Sequence, residues 1–363
     1  MAQNKRVTLR DVARLAQVHP GTASRALNEQ ARAKKLVNPE TAARVLQVAQ
    51  ELNYNPDPAA RSLKTRRSHT VGVLIPDLTN PLFPPIIRGI EDRLAQSGFV
   101  VLLGNTDDDP KREKGVLEGM LSRRVDGLVL ATATRRSDIA TVIGSEDLPI
   151  VLINRVVDDH AFPSVATDDV AGIKMAVAHL ASLGHTRIAH LAGPQALSTG
   201  ANRYRGFLAG MEAAGIPVDP ELVVFAESFS HAEGVVRCRE LLASRHGCTA
   251  IVAANDMLAI GCYQALEESG LTCPEDVSVV GFNDAPFSNR LSPPLSSVSF
   301  PHYQVGIEAA QLVLERISDP TAPTKVLFLP PELVVRRSTT RVASAVAKLG
   351  GRTTDDTSVR SIS

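Results

Sequence analysis

The sequence predicts an α/β protein in which an N-terminal all-α helix-turn-helix head precedes two doubly wound parallel-sheet lobes. Residues 8–28 hold two short helical patterns joined by a tight turn. From Val71 onward, short apolar runs alternate with amphipathic helical patterns, as in parallel sheets covered on both faces. Charge divides along the same line: residues 1–68 carry 13 Lys or Arg against 5 Asp or Glu, whereas residues 69–363 carry 26 against 34. A neutral total therefore combines a cationic head with an anionic body. That asymmetry suits a head that meets phosphate and a body that does not.

In the head, Thr8 is placed to cap the first helix, with Asp11 as its capping-box partner. Val12, Leu15 and Ala16 fall on one face at helical spacing. A second helix opens at Pro20, whose fixed φ suits the first helical position, and turns Ala23, Ala26 and Leu27 inward. Small residues at Ala13, Ala16 and Ala23 let the two helices cross closely. A third helix has Asn38 as cap and Pro39 first, with Val45, Leu46, Ala49 and Leu52 inward. A plain three-helix bundle would show the same periodicity; the charge argues against it. The joining segment from Tyr54 to Ser68 is basic and broken by prolines. Asp57 and Pro58 can start a helix of two turns through Leu63, too short to be stable unless something docks it.

In the body, strands are expected at Val71–Ile75, Phe99–Leu103, Leu128–Ala131 and Ile150–Ile153, then at Ile188–Ala192, Leu222–Phe225, Ala250–Ala253 and Val277–Gly281. Val326–Leu329 and Leu333–Val335 add two late ones. Helices fill the gaps, among them Pro84–Ser97, Val170–Leu183, Arg203–Ala214 and Leu258–Ser269. The expected domains are a head at 1–56, a hinge helix and linker at 57–69, a first lobe at 70–163 with 294–322, a second at 164–293 with 323–340, and a flexible tail at 341–363. Ligands of such folds bind beyond the carboxyl ends of the strands, here in the cleft between lobes. In the tail, Val342, Val346 and Leu349 allow two helical turns, too few for the heptads of a coiled-coil tetramer, so a homodimer is expected.

Other classes are disfavoured. There is no run of 18 apolar residues and no apolar signal core after Lys5 and Arg6. Cys238, Cys248, Cys262 and Cys273 show no metal or redox spacing, which suits free thiols in a reducing cytoplasm. The nine histidines form no metal-type cluster, and His185 and His190, flanking a strand-like run, read as surface or core residues. No dinucleotide fingerprint, phosphate loop, nucleophile elbow or placed acid/base pair is present. The expectation is a protein that is not an enzyme and has no metal or cofactor. A transport-type binding protein and a sugar-processing enzyme remain the rival classes.

The motifs that carry a family resemblance are Thr-Leu-Arg-Asp-Val-Ala (8–13), Thr-Ala-Ser-Arg-Ala-Leu-Asn (22–28), Leu-Asn-Tyr-Asn-Pro-Asp-Pro-Ala-Ala-Arg-Ser-Leu (52–63), Ile-Pro-Asp-Leu-Thr-Asn-Pro-Leu-Phe (75–83), Leu-Ile-Asn-Arg (152–155), Ala-Asn-Asp (254–256) and Val-Gly-Phe-Asn-Asp (280–284). In that order, from about Val7 to Arg337, the chain resembles the lactose-repressor (LacI/GalR) family of transcriptional regulators. The resemblance implies a dimer on a pseudo-palindromic operator in double-stranded DNA, with the second helix in the major groove. It also implies a hinge-helix leucine, here Leu63, wedged into the minor groove, where an apolar wedge kinks the duplex.

The DNA-facing set it implies is Thr8, Leu9, His19, Pro20, Gly21, Thr22, Ser24, Arg25, Asn28, Lys34, Lys35, Tyr54, Ala60, Arg61 and Leu63. The chain departs from the family at His19, Pro20 and Gly21, where a serine cap and base-reading side chains are usual. Readout should then lean on Thr22, Arg25 and Asn28, with Arg25 best suited to a guanine edge. His19 is left to replace the cap or to contact phosphate. The loop after Asn28 is longer than the family's, and Arg32, Lys34 and Lys35 in it read as added phosphate contacts.

The body is similar to periplasmic sugar-binding proteins. This implies an effector site of Asn80, Phe83, Asn154 and Arg155 from the first lobe and Thr199, Arg203, Asn255 and Asn283 from the second. The plainer readings are that Asn80 makes the turn before Pro81 and that Asn255 caps the next helix. Arg203, read as opening a helix, calls for a ligand or an acidic partner. Relatives often carry Asp where Asn283 stands, with Asp284 as a possible substitute, and Gln where Phe300 stands. The implied ligand is a sugar or sugar derivative, with a furanose or a nucleoside also open. Ligand-driven movement of the lobes would melt or form the hinge helices, and both induction and corepression fit.

Overall fold

The computed structural model describes residues 7–27, 36–54, 67–136, 148–243 and 247–342. The chain divides into two compact units, residues 1–69 and 70–363. Much of the hinge segment, including Ala60, Arg61 and Leu63, lies outside the described residues, as do Asn28, Arg32, Lys34, Lys35 and the tail from residue 343.

The first unit has three helices, α1 (Leu9–Leu15), α2 (Pro20–Leu27) and α3 (Pro39–Glu51). Thr8 and Asp11 make the expected capping box on α1. Asn38 caps α3 by accepting from the Glu40 N–H at 2.9 Å. Val12, Ala13, Ala16, Ala23, Ala26, Val45 and Ala49 form one small core. Two inward assignments fail: Leu15 is 55% and Leu46 39% exposed. The core is built on alanines, so the helices approach too closely for leucines at the rim to be covered. The Arg44 Nε donates to the Ala16 carbonyl at 3.0 Å, fixing α3 against the turn between α1 and α2.

The second unit runs β1 (Thr70–Ile75), α4 (Phe83–Gln96), β2 (Val100–Asn105), α5 (Pro110–Ser122), β3 (Gly127–Leu130), β4 (Ile150–Ile153), β5 (Ser164–Thr167), α6 (Asp169–Ser182), β6 (Ile188–Ala192), α7 (Ser198–Ala213), β7 (Val223–Phe225), α8 (His231–Ala243), β8 (Ala250–Ala253), α9 (Asp256–Glu268), β9 (Ser278–Phe282), β10 (Ser296–Ser299), α10 (His302–Ser318), β11 (Val326–Leu329) and β12 (Glu332–Val334). Two six-stranded sheets result, ordered β11-β5-β4-β3-β1-β2 and β12-β10-β9-β8-β6-β7. All pairings are parallel except β10 with β12. Strands such as Ile150–Ile153 and Ile188–Ala192 are buried throughout, which is why they are apolar without alternation.

The sheet pairings correct the expected lobe boundaries. β5, expected in the second lobe, pairs with β4 and β11 in the first sheet. The segment 294–299, expected in the first lobe, supplies β10 beside β9 in the second. β11, expected in the second lobe, closes the first sheet, and only β12 returns to the second. The physical reason is the crossover pattern. Each lobe receives its fifth strand just before the chain leaves it, at Thr167–Asp169 and at Ser299–His302. The third crossing, after Leu329, lies beside the first, where Asp168 N–H and Thr167 Oγ1 both donate to the Leu329 carbonyl. α10 packs on α4, β3 and β4 of the first lobe, whereas α6 packs on β8, β9 and β10 of the second.

Candidate effector cavity and DNA-reading helix

In each sheet the strand order reverses beside the first strand, between β1 and β3 and between β6 and β8. A crevice opens at such a reversal, outside the carboxyl ends of the strands. The two crevices face one cavity of about 330 Å³. Its lining includes Asn80, Phe83, Asn154, Arg155, Thr199, Arg203, Asn255 and Asn283, so eight of the ten side chains expected at the site come together.

The second-lobe wall is internally satisfied around Arg203. Its Nε donates to Asp169 at 2.8 Å and its Nη1 to the Ala254 carbonyl at 2.7 Å, and its guanidinium lies 3.8 Å from the Phe282 ring centroid. Arg203 and Asp169 are 2% and 3% exposed. Burial pushes the Asp169 carboxyl up to about 6, against the pull of Arg203. α7 begins at Ser198, earlier than expected, so Arg203 sits in its second turn and does not open the helix. The acidic partner is nevertheless present: Asp169, in the first turn of α6, where a helix favours an anion. Gly200 is required here, because an added Cβ would meet the Pro194 carbonyl oxygen at 2.0 Å. That close approach seats Thr199 at the cavity.

Asn154 and Asn283 follow β4 and β9 with φ of 62° and 108°. Asparagine tolerates such backbone better than most residues, and strained positions of this kind gather at ligand sites. Both side chains are buried, and the Oδ1 of each lacks a hydrogen-bond partner. Thr199 Oγ1 and Arg155 Nε are buried and unpartnered as well. Orphans of this kind are costly unless something fills the space. Arg155 Nη1 donates to Asp108 at 3.0 Å, and the Asp108 side chain is 53% exposed.

The plainer readings of two asparagines also hold. Asn80 Oδ1 accepts from the Leu82 N–H at 3.1 Å, making a turn, and Asn255 Oδ1 accepts from the Leu258 N–H at 2.9 Å, capping α9. Both still line the cavity. Phe83 is only 2% exposed and belongs mainly to the core.

Two expectations are corrected. Asp284 does not line the cavity; it pairs with Arg336 at 2.6 Å, so it does not replace a carboxylate at Asn283. Phe300 is also absent from the lining; it is buried at the second crossing between Phe282 and His302, with ring centroids at 6.2 and 4.3 Å. Sequence reasoning missed Asp77, Asp107, Asp108, Ser228, Phe229 and Ser230. A signal existed for one pair: Asp107 and Asp108 follow a strand with φ of 54° and 51°, and an acidic triplet after an apolar run marks such a turn.

The lobes touch directly at one side of the cavity. The Val156 N–H donates to Ser198 Oγ at 2.9 Å, and the Arg135 N–H to the Ala196 carbonyl at 2.9 Å. His185 and His190 are core residues. His185 bonds Thr249 and Thr340, while His190 stacks on Phe207 at 4.7 Å and donates to the Val252 carbonyl. The four cysteines are free thiols. Among the described residues no group of three or more His, Cys, Asp or Glu is arranged to hold a metal, and no helix is long and apolar enough to cross a membrane.

In the head, His19 takes the capping role: its Nδ1 accepts from the Gly21 N–H at 3.1 Å, and its carbonyl accepts from Thr22 and Ala23. A side chain that both caps α2 and stays exposed replaces the usual serine. His19 and Arg25 are exposed on α2, while Pro20, Gly21, Thr22 and Ser24 are half-buried. The Arg25 Nε donates to the Gly21 carbonyl at 3.3 Å, which lays the arginine along the helix. Thr8 is exposed, Leu9 half-buried, and Tyr54 packs on the small core.

Comparison with known proteins gives the same picture. Residues 8–57 match the model of bacterial regulatory proteins of the lacI family, and residues 177–339 match the periplasmic binding protein-like domain. A ribose operon repressor of Bacillus subtilis (strain 168) is 35% identical over 92% of this chain and 98% of its own. The lac repressor dimer bound to operator and the anti-inducer ONPF superposes with a TM-score of 0.79, at 27% identity, over 93% of this chain and all (100%) of that one. A LacI family transcriptional regulator from Enterococcus faecium with bound ribose gives a TM-score of 0.66 at 32% identity over 76% of this chain and 100% of that one. With a three-helix head and a two-lobed body whose walls line one polar cavity, this chain belongs to the lacI family of bacterial regulatory proteins and is a DNA-binding transcriptional regulator.

Proposed function

We propose that the protein is a dimeric repressor whose hold on a pseudo-palindromic operator is set by a small sugar-like effector in the interlobe cavity. The observation that carries this reading is one cavity lined by polar side chains of both lobes, Asn154 and Arg155 from one and Thr199 and Asn283 from the other. A polyhydroxylated ligand supplies donors and acceptors to both walls at once, and Phe229 gives it an apolar face. A volume of about 330 Å³ lies at the small end of ligand sites, the scale of a monosaccharide. The ribose-associated relatives agree with that scale.

On DNA, α2 is assigned to the major groove. Arg25 reads a base edge, Thr22 and Asn28 assist, and the N-terminal turn capped by His19 meets phosphate. Thr8, Leu9, Pro20, Gly21, Ser24 and Tyr54 position the head, while Lys34 and Lys35 add phosphate contacts. Ala60, Arg61 and Leu63 are assigned to the minor groove. The effector acts by stabilising one arrangement of the lobes over the other, and only to the extent that it binds the two differently. The protein therefore works by binding, in the cytoplasm, and requires no cofactor.

The test is selection of duplexes from a random pool by the full chain, followed by titration of the selected site with free sugars. A two-fold-symmetric site whose occupancy changes with one sugar is expected. Failure to enrich any site, or enrichment of a site indifferent to every ligand, would reject the reading.

A further inference from the structure

A groove of about 640 Å³ runs between α6 and α7 on the second lobe and shares no lining residue with the cavity. Its walls include Val170, Met175, Ala178 and Ala181 of α6 and Gly210 and Ala213 of α7. The two helices cross closely: a Cβ added at Gly206 would meet the Val170 carbonyl oxygen at 2.7 Å, and one at Gly210 the Val177 Cβ at 2.9 Å. Beside that crossing the small side chains leave a mainly apolar furrow, in which Met175 stays 39% exposed. Contiguous apolar surface with a polar rim marks an interaction site.

The chain itself leads into this groove. After β12 it returns to the C-terminal end of α6 and is fastened there at three points. Thr339 Oγ1 bonds His179 Nε2 at 3.0 Å, the Thr340 carbonyl accepts from His185 Nε2 at 2.9 Å, and the Val342 N–H donates to the Leu183 carbonyl at 3.2 Å. Leu183 comes just after Ala181, which lines the groove. The segment that follows, outside the described residues, reads Ala343-Ser-Ala-Val-Ala-Lys-Leu349, small and apolar except at Ser344 and Lys348. Fully extended it reaches up to about 24 Å. The 14-residue α6 is about 21 Å long, so the segment can lie along the whole groove from the point where it is tied. A tether that short gives it an effective concentration of about millimolar, which a segment of a second molecule lacks at ordinary protein concentrations.

We propose that residues 343–349 occupy the α6–α7 groove of their own second lobe, with Val346 and Leu349 covering the apolar surface around Met175 and Ala178. The segment is a strap within one molecule and builds no contact between molecules. Lying along α6, it braces the helix whose first turn holds Asp169, the partner of Arg203.

The test is limited trypsin digestion of the full-length protein, with mass measurement of the released fragments that begin at Leu349 and at Thr353. A synthetic peptide of residues 343–363 supplies the unhindered rates. Relative to that peptide, cutting after Lys348 should be at least about tenfold slower, as for a site open about a tenth of the time, while cutting after Arg352, beyond the groove, should change little. Met175→Glu and Ala178→Glu, each at an exposed position, put a charge in the furrow and should each return the Lys348 rate to that of the peptide. Unhindered cutting after Lys348 in the wild-type protein would overturn the proposal, as would protection that survives both substitutions. Protection that disappears on dilution, together with a fall in assembly mass by light scattering, would seat the segment in another molecule's groove and would overturn it too.

Discussion

The two walls of the cavity hold an arginine each, and they hold it differently. On the second-lobe side, Arg203 is sealed: it has a buried carboxylate, a carbonyl and an aromatic face, all within the lobe. On the first-lobe side, Arg155 has one partner, a carboxylate that is half in water, and its Nε has none. The difference teaches which arginine is held by its own lobe and which is left with an unpartnered N–H. Arg203 belongs as much to the architecture of its lobe as to the site. Arg155 and the open amides are where binding free energy remains to be gained.

The largest expected effect breaks the sealed wall. Arg203→Met leaves Asp169 buried without its cation, a defect that costs about 3–5 kcal/mol in comparable cases. Chemical unfolding at pH 8 should show a loss of that size. The loss should shrink toward pH 5. Asp169 is already pushed up to about 6 with its partner present, and without Arg203 it takes a proton more readily still. A carboxyl whose folded pKa is raised stabilises the fold when protonated, so the variant regains stability as pH falls through that value. A pH-independent loss would mean that packing, not charge, dominates the defect.

A second effect probes the layer behind the same wall. His190 is fully buried, and burial brings its pKa down to about 4. Its unfolded form takes a proton near the ordinary value, so its contribution to stability is present above that value and is lost as pH falls toward 4. His190→Phe should remove up to about 3 kcal/mol from the acid-side decline in stability between pH 7 and pH 4. Parallel pH–stability curves for the two proteins would contradict the assignment.

The next effect contrasts the walls directly. Arg155→Met should leave unfolding stability within about 1 kcal/mol of wild type, because Asp108 is free to hydrate. It should nevertheless weaken effector binding by about tenfold or more, through the lost charged hydrogen-bond donor. A stability loss matching that of Arg203→Met would erase the distinction between the walls. The smallest effect is Thr199→Val, which removes a single hydroxyl and should weaken effector binding by about three- to tenfold with little change in stability.

The same contrast explains what the sequence made legible. Long apolar strands such as Ile188–Ala192 and capped helices such as α1 and α3 were readable, because local pattern and tertiary role agree there. β5 (Ser-Val-Ala-Thr) and β10 (Ser-Ser-Val-Ser) were not, although both are largely buried. Hydroxyls in both are satisfied by distant groups: Thr167 Oγ1 donates to the Leu329 carbonyl at 3.0 Å, Ser297 Oγ donates to Asp256 at 2.6 Å, and Ser296 Oγ accepts from the Arg336 N–H at 2.8 Å. A polar strand reads as a loop until those partners are known, and missing the two strands misplaced the lobe boundaries.

Most of the cavity was legible through Asn154, Arg155, Asn255 and Asn283, which follow strands directly. Asp284 and Phe300 were misassigned because adjacency in sequence does not settle which way a side chain faces. The Arg336 that claims Asp284 arrives from beyond β12, at the far end of the body. Arg203 was rightly matched to an acidic partner, but for a wrong reason, since its helix starts at Ser198.

One measurement bears most directly on the claim that a single ligand spans both lobes. Calorimetric titration of a free sugar should be carried through Asn154→Ala, Asn283→Ala and the double variant in the full-length protein. Each single substitution, on opposite walls, is expected to weaken binding by about three- to tenfold, and the double variant to weaken it further than either. If one wall could be stripped with no change in affinity, the ligand would rest on a single lobe, and the coupling of cavity to operator would have lost its physical basis.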